Sequence, residues 1–303
     1  TSPFFPLYPL LLKLAGNNII VVAAWGIFLS NLAVLVGLYY LYRLTRLDFN
    51  GRVARLSVLT IAFFPTTAFF SAVYSESLFL LLVVATFYCV RINRWAMAAL
   101  WAGLAALTRN SGPIIAIMLA VEYWQARKNG VSLPRFAWVT ALVPLLSFTI
   151  IQGYLTFYFG GNIPAIDAQK YFSRHLSWPW MPIALDLKYL FPHGQFHPDA
   201  LVSVFVSIVV FVLVIRNWKR FPKSYSVFVL GINLANLCYS SARWPFTSSA
   251  ARFQMTTFPF SQMLAKDALS IWNRRWGKLL ILGCYLMICA VMCWLFGKKS
   301  FIG

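Results

Sequence analysis

Apolar stretches alternate along the chain with short polar connectors, running over 19–42, 56–72, 77–90, 95–108, 112–126, 136–159, 200–215, 225–241, 254–265 and 279–297. A straight helix needs roughly 20 residues to cross a hydrocarbon layer. Several of these stretches are shorter, which predicts tilted or half-length helices. The pattern predicts an all-α, polytopic transmembrane protein of about ten spans, forming one membrane domain over 1–303. Two further segments are predicted at its outer surface. Three prolines among the first nine residues precede an apolar run, as in a short interfacial helix within an outer segment 1–18. A long outer loop at about 160–199 mixes Trp, Tyr, Lys and Arg with apolar residues, as in chain lying against headgroups.

Composition supports the membrane reading. The 303 residues are 60% hydrophobic and 11% charged, and mean hydropathy is +0.72. A net charge of +19 would suggest nucleic acid in a soluble protein. Here the basic residues punctuate apolar runs instead of covering one polar face, so no nucleic-acid partner is expected. Alternate connectors hold Arg43, Arg46, Arg52 and Arg55; Arg91 and Arg94; Arg127, Lys128 and Arg135; Arg216, Lys219, Arg220 and Lys223; and Lys266, Arg274, Arg275 and Lys278. By the positive-inside rule these connectors face the cytoplasm. The opposite face then receives residues 1–18, the turns at 74–76, 108–112 and 240–253, and the long loop. Glu76, Asp167, Asp186, Asp199 and all three histidines fall there, so chemistry is expected on the outer side.

Few residues are equipped for it. Glu76, in FFSAVYSESLFLLL, is one of only seven carboxylates. It either complements a helix start beside an N-capping Ser75, or lines a cavity where it binds a sugar hydroxyl or acts as a base, with Asp167 as the other catalytic candidate. Arg109, in ALTRNSGPII, either snorkels to the interface or, beside a helix break at Gly112 and Pro113, offers a guanidinium fork for phosphate. Asp167, Gln169, Lys170 and Arg174 cluster in the long loop, and Arg243 and Arg252 flank a later turn. His193 and His197 are four apart, but Gly194 and flanking prolines argue against a helix and no third ligand is evident. The cysteines Cys89, Cys238, Cys284, Cys289 and Cys293 lie in apolar segments without a CxxC pair. No metal and no cofactor is expected, and no Walker, GxSxG, HExxH or GxGxxG stretch is present.

Five stretches, in order, carry a resemblance: FFPLYPLLLKL, FFPTTAFFSAVYSESLFLLL, AALTRNSGPI, AIDAQKYFSRHLSWPW and ARFQMTTFPF. Over about residues 3–265 the chain resembles the PIG-V family of mannosyltransferases, whose members include the second mannosyltransferase of GPI-anchor assembly and bacterial relatives. The YSESLF and TRNSG pieces are the most specific. The resemblance implies a GT-C fold and inverting transfer of mannose or another hexose from a polyprenyl-phosphate sugar donor to a lipid-linked or glycan acceptor. The transfer would occur on the lumenal or extracytoplasmic side, in a bacterial plasma membrane rather than the endoplasmic reticulum. Carried over by motif, Glu76, Arg109, Gln169, Arg174 and Arg252 are the substrate-binding candidates. The family's first helix and first-loop acid precede FFPLYPLL, so the principal base is expected upstream of Thr1. Two other classes stay open: a transporter or flippase of an anionic lipid, and a non-catalytic lipid-binding subunit with a membrane partner.

Overall fold

The computed structural model describes residues 5–64, 66–159, 174–189, 198–241, 246–247 and 250–272, with isolated positions 276–277, 283, 286 and 290 beyond them. In chain order its helices are α1 (Leu7–Lys13), α2 (Ile19–Asp48), α3 (Gly51–Ala62), α4 (Ala68–Ser71), α5 (Glu76–Arg91), α6 (Trp95–Ala106), α7 (Gly112–Lys128), α8 (Val143–Phe159), α9 (Met181–Lys188), α10 (Pro198–Asn217), α11 (Lys223–Cys238), α12 (Ala250–Met255) and α13 (Phe258–Trp272). A short ribbon, β1 (Arg174–Leu176) antiparallel to β2 (Tyr239–Ser241), is added to the all-α architecture.

Helix α5 is the axis of the packing, because its sequence is apolar all round and can be enclosed on every side. Every residue from Glu76 to Val90 except Leu81 is buried. Helix α2 lies along it so closely that a Cβ at Gly37 would stand 3.3 Å from the Leu81 Cα, which is why a glycine occupies that position. On another side, Phe87 meets Tyr225, Phe228 and Phe258, with ring centroids 5.0, 5.9 and 4.7 Å away, joining α5 to α11 and α13. The outside is greasy rather than polar. Ile19 is 77%, Ile150 69% and Phe157 90% exposed. Apolar exposure on this scale exceeds what a water-soluble surface carries and matches a lipid-facing one.

The expected ten spans are not reproduced. Among the described residues two helices are long and apolar enough to cross a membrane by themselves, Ile19–Asp48 and Ala200–Asn217, while Trp95–Ala106 and Val143–Tyr158 are shorter apolar helices. The predicted span 56–72 is interrupted: α3 stops at Ala62 and α4 begins at Ala68. The Thr67 hydroxyl lies 3.1 Å from the Ile61 carbonyl and 2.5 Å from that of Phe64, capturing acceptors that a continuing helix would have used. The span predicted at 254–265 is displaced to Phe258–Trp272. The one predicted at 279–297 lies almost wholly outside the described residues. Within 1–18 the chain forms the helix α1.

The two ends of the bundle differ in charge. At one end Arg91 bonds both Asp48 (2.8 Å) and Glu122 (2.5 Å), the Tyr225 hydroxyl donates to Asp48, and Ser224 donates to Glu122. This network ties the ends of α2, α5 and α7 to the start of α11. The basic connectors at 43–55, 91–94 and 216–223 gather there, and Lys266 lies over the rings of Phe49 and Phe221. Glu76 starts the same helix that Arg91 ends, roughly 22 Å away along α5. Removing Arg91 would leave the buried Glu122 and the half-buried Asp48 without their cation. Arg91→Ala is expected to cost on the order of 3 kcal/mol, read as a lowered thermal midpoint in detergent, whereas the exposed Arg55→Ala is expected to leave it unchanged.

Candidate anion site around Glu76

Glu76 sits at the first turn of α5, and the segment leading into it is anchored from below. The Tyr8 hydroxyl lies 2.7 Å from the Ser30 hydroxyl, and the Ser30 hydroxyl in turn reaches the Tyr74 carbonyl at 3.4 Å. Ser77 donates to the Phe70 carbonyl at 2.6 Å. Ser75 makes no side-chain capping bond, and Glu76 turns to guanidinium groups instead of the helix-start amides. Its Oε1 accepts from Arg109 Nη1 at 2.8 Å, from Arg252 Nε at 2.7 Å and from Arg252 Nη2 at 2.6 Å. Its Oε2 is buried and has no hydrogen-bond partner among the described residues. The side chain is only 1% exposed, so the pair of arginines is what makes the charge tolerable there.

Each arginine is delivered by a different local device. Arg109 occupies the tight turn between α6 and α7. A Cβ at Gly112 would come within 2.8 Å of the Ala106 Cβ, so glycine lets the chain fold back, and the Leu7 amide holds the Leu107 carbonyl at 3.1 Å. Arg252 projects from α12. The turn before that helix is fixed by Asp186, whose carboxylate accepts the backbone amides of Phe246 at 2.7 Å and Thr247 at 2.8 Å. Arg174 comes from β1, placed by its register opposite Ser241, and its Nη1 donates to Asn236 Oδ1 at 3.4 Å.

Aromatic faces support all three. Arg252 lies 4.4 Å from the Phe69 ring centre and 4.5 Å from that of Tyr74. Arg109 and Arg174 both stand 5.2 Å from the ring centre of Phe253, and Arg109 also approaches Phe79. These beds orient the guanidinium planes and leave donors free at their edges. Arg109 and Arg252 thus share the Glu76 carboxylate, while the neighbouring Arg174 bonds the neutral Asn236. Burial, then Arg252, then Arg109 push the Arg174 guanidinium down to about 10. Burial is the largest cause and the two neighbouring guanidiniums add to it, so the Arg174 charge is held at a cost at this end of the bundle.

The chain has known structural relatives. No protein-family model matches it, and no curated protein does either. Its backbone is similar to that of the Archaeoglobus fulgidus oligosaccharyltransferase tethered by a disulfide bond to an acceptor peptide containing the NVT sequon. That match has 14% identity and a TM-score of 0.53, covering 96% of this chain and 47% of that one. The same archaeal protein in complex with Zn and sulfate gives 14% identity and 0.52, covering 96% and 44%. Its apo form gives 15% and 0.50, covering 97% and 46%. The fold is similar to that of this archaeal oligosaccharyltransferase. The chain spans less than half the length of these neighbours, and at such identity the likeness is one of fold alone.

Of the residues singled out in the sequence, Glu76, Arg109, Arg174 and Arg252 converge. Asp167, Gln169, Lys170, His193, His197 and Arg243 lie outside the described residues. Asp186 accepts the backbone amides of the turn before α12. Sequence reasoning missed the aromatic beds and Asn236. Phe253 follows Arg252 directly and Tyr74 stands in YSESLF, yet nothing in an apolar run distinguishes a ring under a guanidinium from a ring in the core.

The charge imbalance has a consequence for stability. Arg174 is charged in both folded and unfolded chains below pH 10, so its penalty is fully present there. The penalty is relieved as pH rises above about 10, where the folded protein releases this proton first. Arg174→Gln is therefore expected to raise the thermal midpoint at pH 7 by about 2 °C while weakening binding of a phosphate-bearing lipid. Calorimetry and a lipid-binding titration on the same preparation check both halves.

Proposed function

We propose that this protein is a membrane glycosyltransferase that takes a sugar from a polyprenyl-phosphate carrier and transfers it to a lipid-linked or glycan acceptor. The observation that carries the proposal is the pairing of Arg109 and Arg252 with the buried Glu76, beside an Arg174 guanidinium that both neighbouring cations push down, so that among the described residues cations outnumber carboxylates there. The GT-C-like fold and the greasy surface are consistent with it. A glycosyl phosphodiester bears one negative charge, and the departing polyprenyl phosphate bears nearly two. In the step proposed, the bond between the sugar C1 and the phosphate oxygen breaks while the acceptor hydroxyl oxygen bonds C1 from the opposite face and passes its proton to a carboxylate acting as general base. Charge then grows on the phosphate, where fixed guanidinium donors stabilise it more than they stabilise the substrate.

Glu76 has a different task from the base in this scheme. With Oε1 held by two arginines, it fixes their position and is a positioning residue, and its unpartnered Oε2 is available to a donor hydroxyl. The finer reading, a mannosyl donor as in the PIG-V family, rests on the YSESLF and TRNSG segments that supply Glu76 and Arg109. The outer, extracytoplasmic side is assigned to the Glu76 end because the basic connectors gather at the other, within a single membrane domain over 1–303.

Membranes containing the protein, supplied with labelled polyprenyl-phosphate mannose, are expected to move label into a lipid or glycan product. Arg109→Lys keeps the charge but loses the fork, and is expected to weaken donor binding about tenfold. Glu76→Gln is expected to lower turnover without abolishing it. Intact carrier binding with no transfer to any acceptor would replace the enzyme by a lipid-binding subunit.

A further inference from the structure

A second cationic site lies at the opposite end of the bundle. Between the end of α10 and α11 is a pocket of about 610 Å³. Phe211, Ile215 and Leu234 furnish apolar wall, while Arg216, Lys219 and Arg220 stand at the charged edge. The arrangement is held from beneath. Asn217 is fully buried and bonds the Leu213 carbonyl at 3.0 Å and Asp267 at 3.3 Å. The amides of Arg220 and Phe221 return to the Asn217 carbonyl at 2.9 and 3.1 Å. Lys223 donates to the Trp218 carbonyl, and its amine lies 4.4 Å from the centre of that ring.

Asp267 is the one acid among the described residues that faces these cations, at 3.3 Å from Arg216 and 4.0 Å from Arg220. Both guanidiniums remain more than half exposed, and Lys219 has no ion-pair partner among the described residues. Three cations against one carboxylate, directly above a hydrocarbon-lined groove and beside an exposed Trp, match the two halves of a phospholipid. Water or a small anion would satisfy the charged rim and leave the apolar wall bare.

We infer that this pocket binds an anionic phospholipid, its phosphate among Arg216, Lys219 and Arg220 and its acyl chains along Phe211, Ile215 and Leu234. The inference rests on the membrane reading of the chain but is independent of sugar transfer, since none of these residues belongs to the Glu76 cluster. A lipid seated here would brace the α10–α11 corner at the cytoplasmic end.

Native mass spectrometry of the whole protein released from mixed phosphatidylglycerol and phosphatidylcholine nanodiscs tests it. Retention of phosphatidylglycerol in preference to phosphatidylcholine is expected, with binding weakened about fivefold for each charge removed in the K219Q/R220Q variant. R127Q/K128Q, which removes two charges at the end of α7, is expected to retain the lipid as the parent does. Equal loss in both variants would reduce the effect to diffuse surface charge and overturn the pocket. So would unchanged binding in K219Q/R220Q, or displacement of the lipid by glycerol phosphate at equal concentration. Failure to enter nanodiscs at all would refute the membrane reading rather than this site.

Discussion

A carboxylate outnumbered by guanidinium groups governs the architecture of one end of this protein. Glu76 could not stay ionised at 1% exposure without Arg109 and Arg252. Those two arginines could not sit so near each other and near Arg174 without Glu76 between them. The local devices around the cluster serve this standoff: the glycine-enabled turn before α7, the Asp186 clasp before α12, and the short ribbon that presents Arg174. Among the described residues the balance is incomplete, because Glu76 pairs with Arg109 and Arg252 while the neighbouring Arg174 bonds the neutral Asn236. Natural sites hold such strain where a ligand resolves it.

The same helix links this end to a quite different one. Arg91 closes α5 as Glu76 opens it, and there the charge ratio is reversed, with two carboxylates around one guanidinium. That second cluster is closed by Tyr225 and Ser224 and reads as a structural clamp on α2, α7 and α11. The contrast separates a network that satisfies itself from one that waits for a partner. Distance along α5 keeps the two fields apart.

Much of this arrangement is legible in the order of residues alone. A lone Glu in FFSAVYSESLFLLL is conspicuous because charge is costly among apolar residues, and Arg109 is conspicuous because its turn is polar and helix-breaking. What the sequence does not disclose is pairing across distance. Arg252 is 176 residues from Glu76, and no local pattern joins them. Arg174 has the local setting of a solvated loop residue, and only strand pairing with Tyr239–Ser241 carries it inward. The predicted run over 56–72 is broken for a related reason. Apolar composition measures what a segment can bury and says little about where Thr67 will seize a carbonyl and end the helix.

The central claim is that the three arginines hold a lipid phosphate beside Glu76. An experimental structure of the protein in nanodiscs with a polyprenyl phosphate tests it most directly. The account predicts phosphate density within hydrogen-bond reach of Arg109, Arg174 and Arg252, with Glu76 still bonded to at least one of them. Phosphate bound elsewhere, with the arginine cluster unchanged and closed on Glu76 alone, would contradict it.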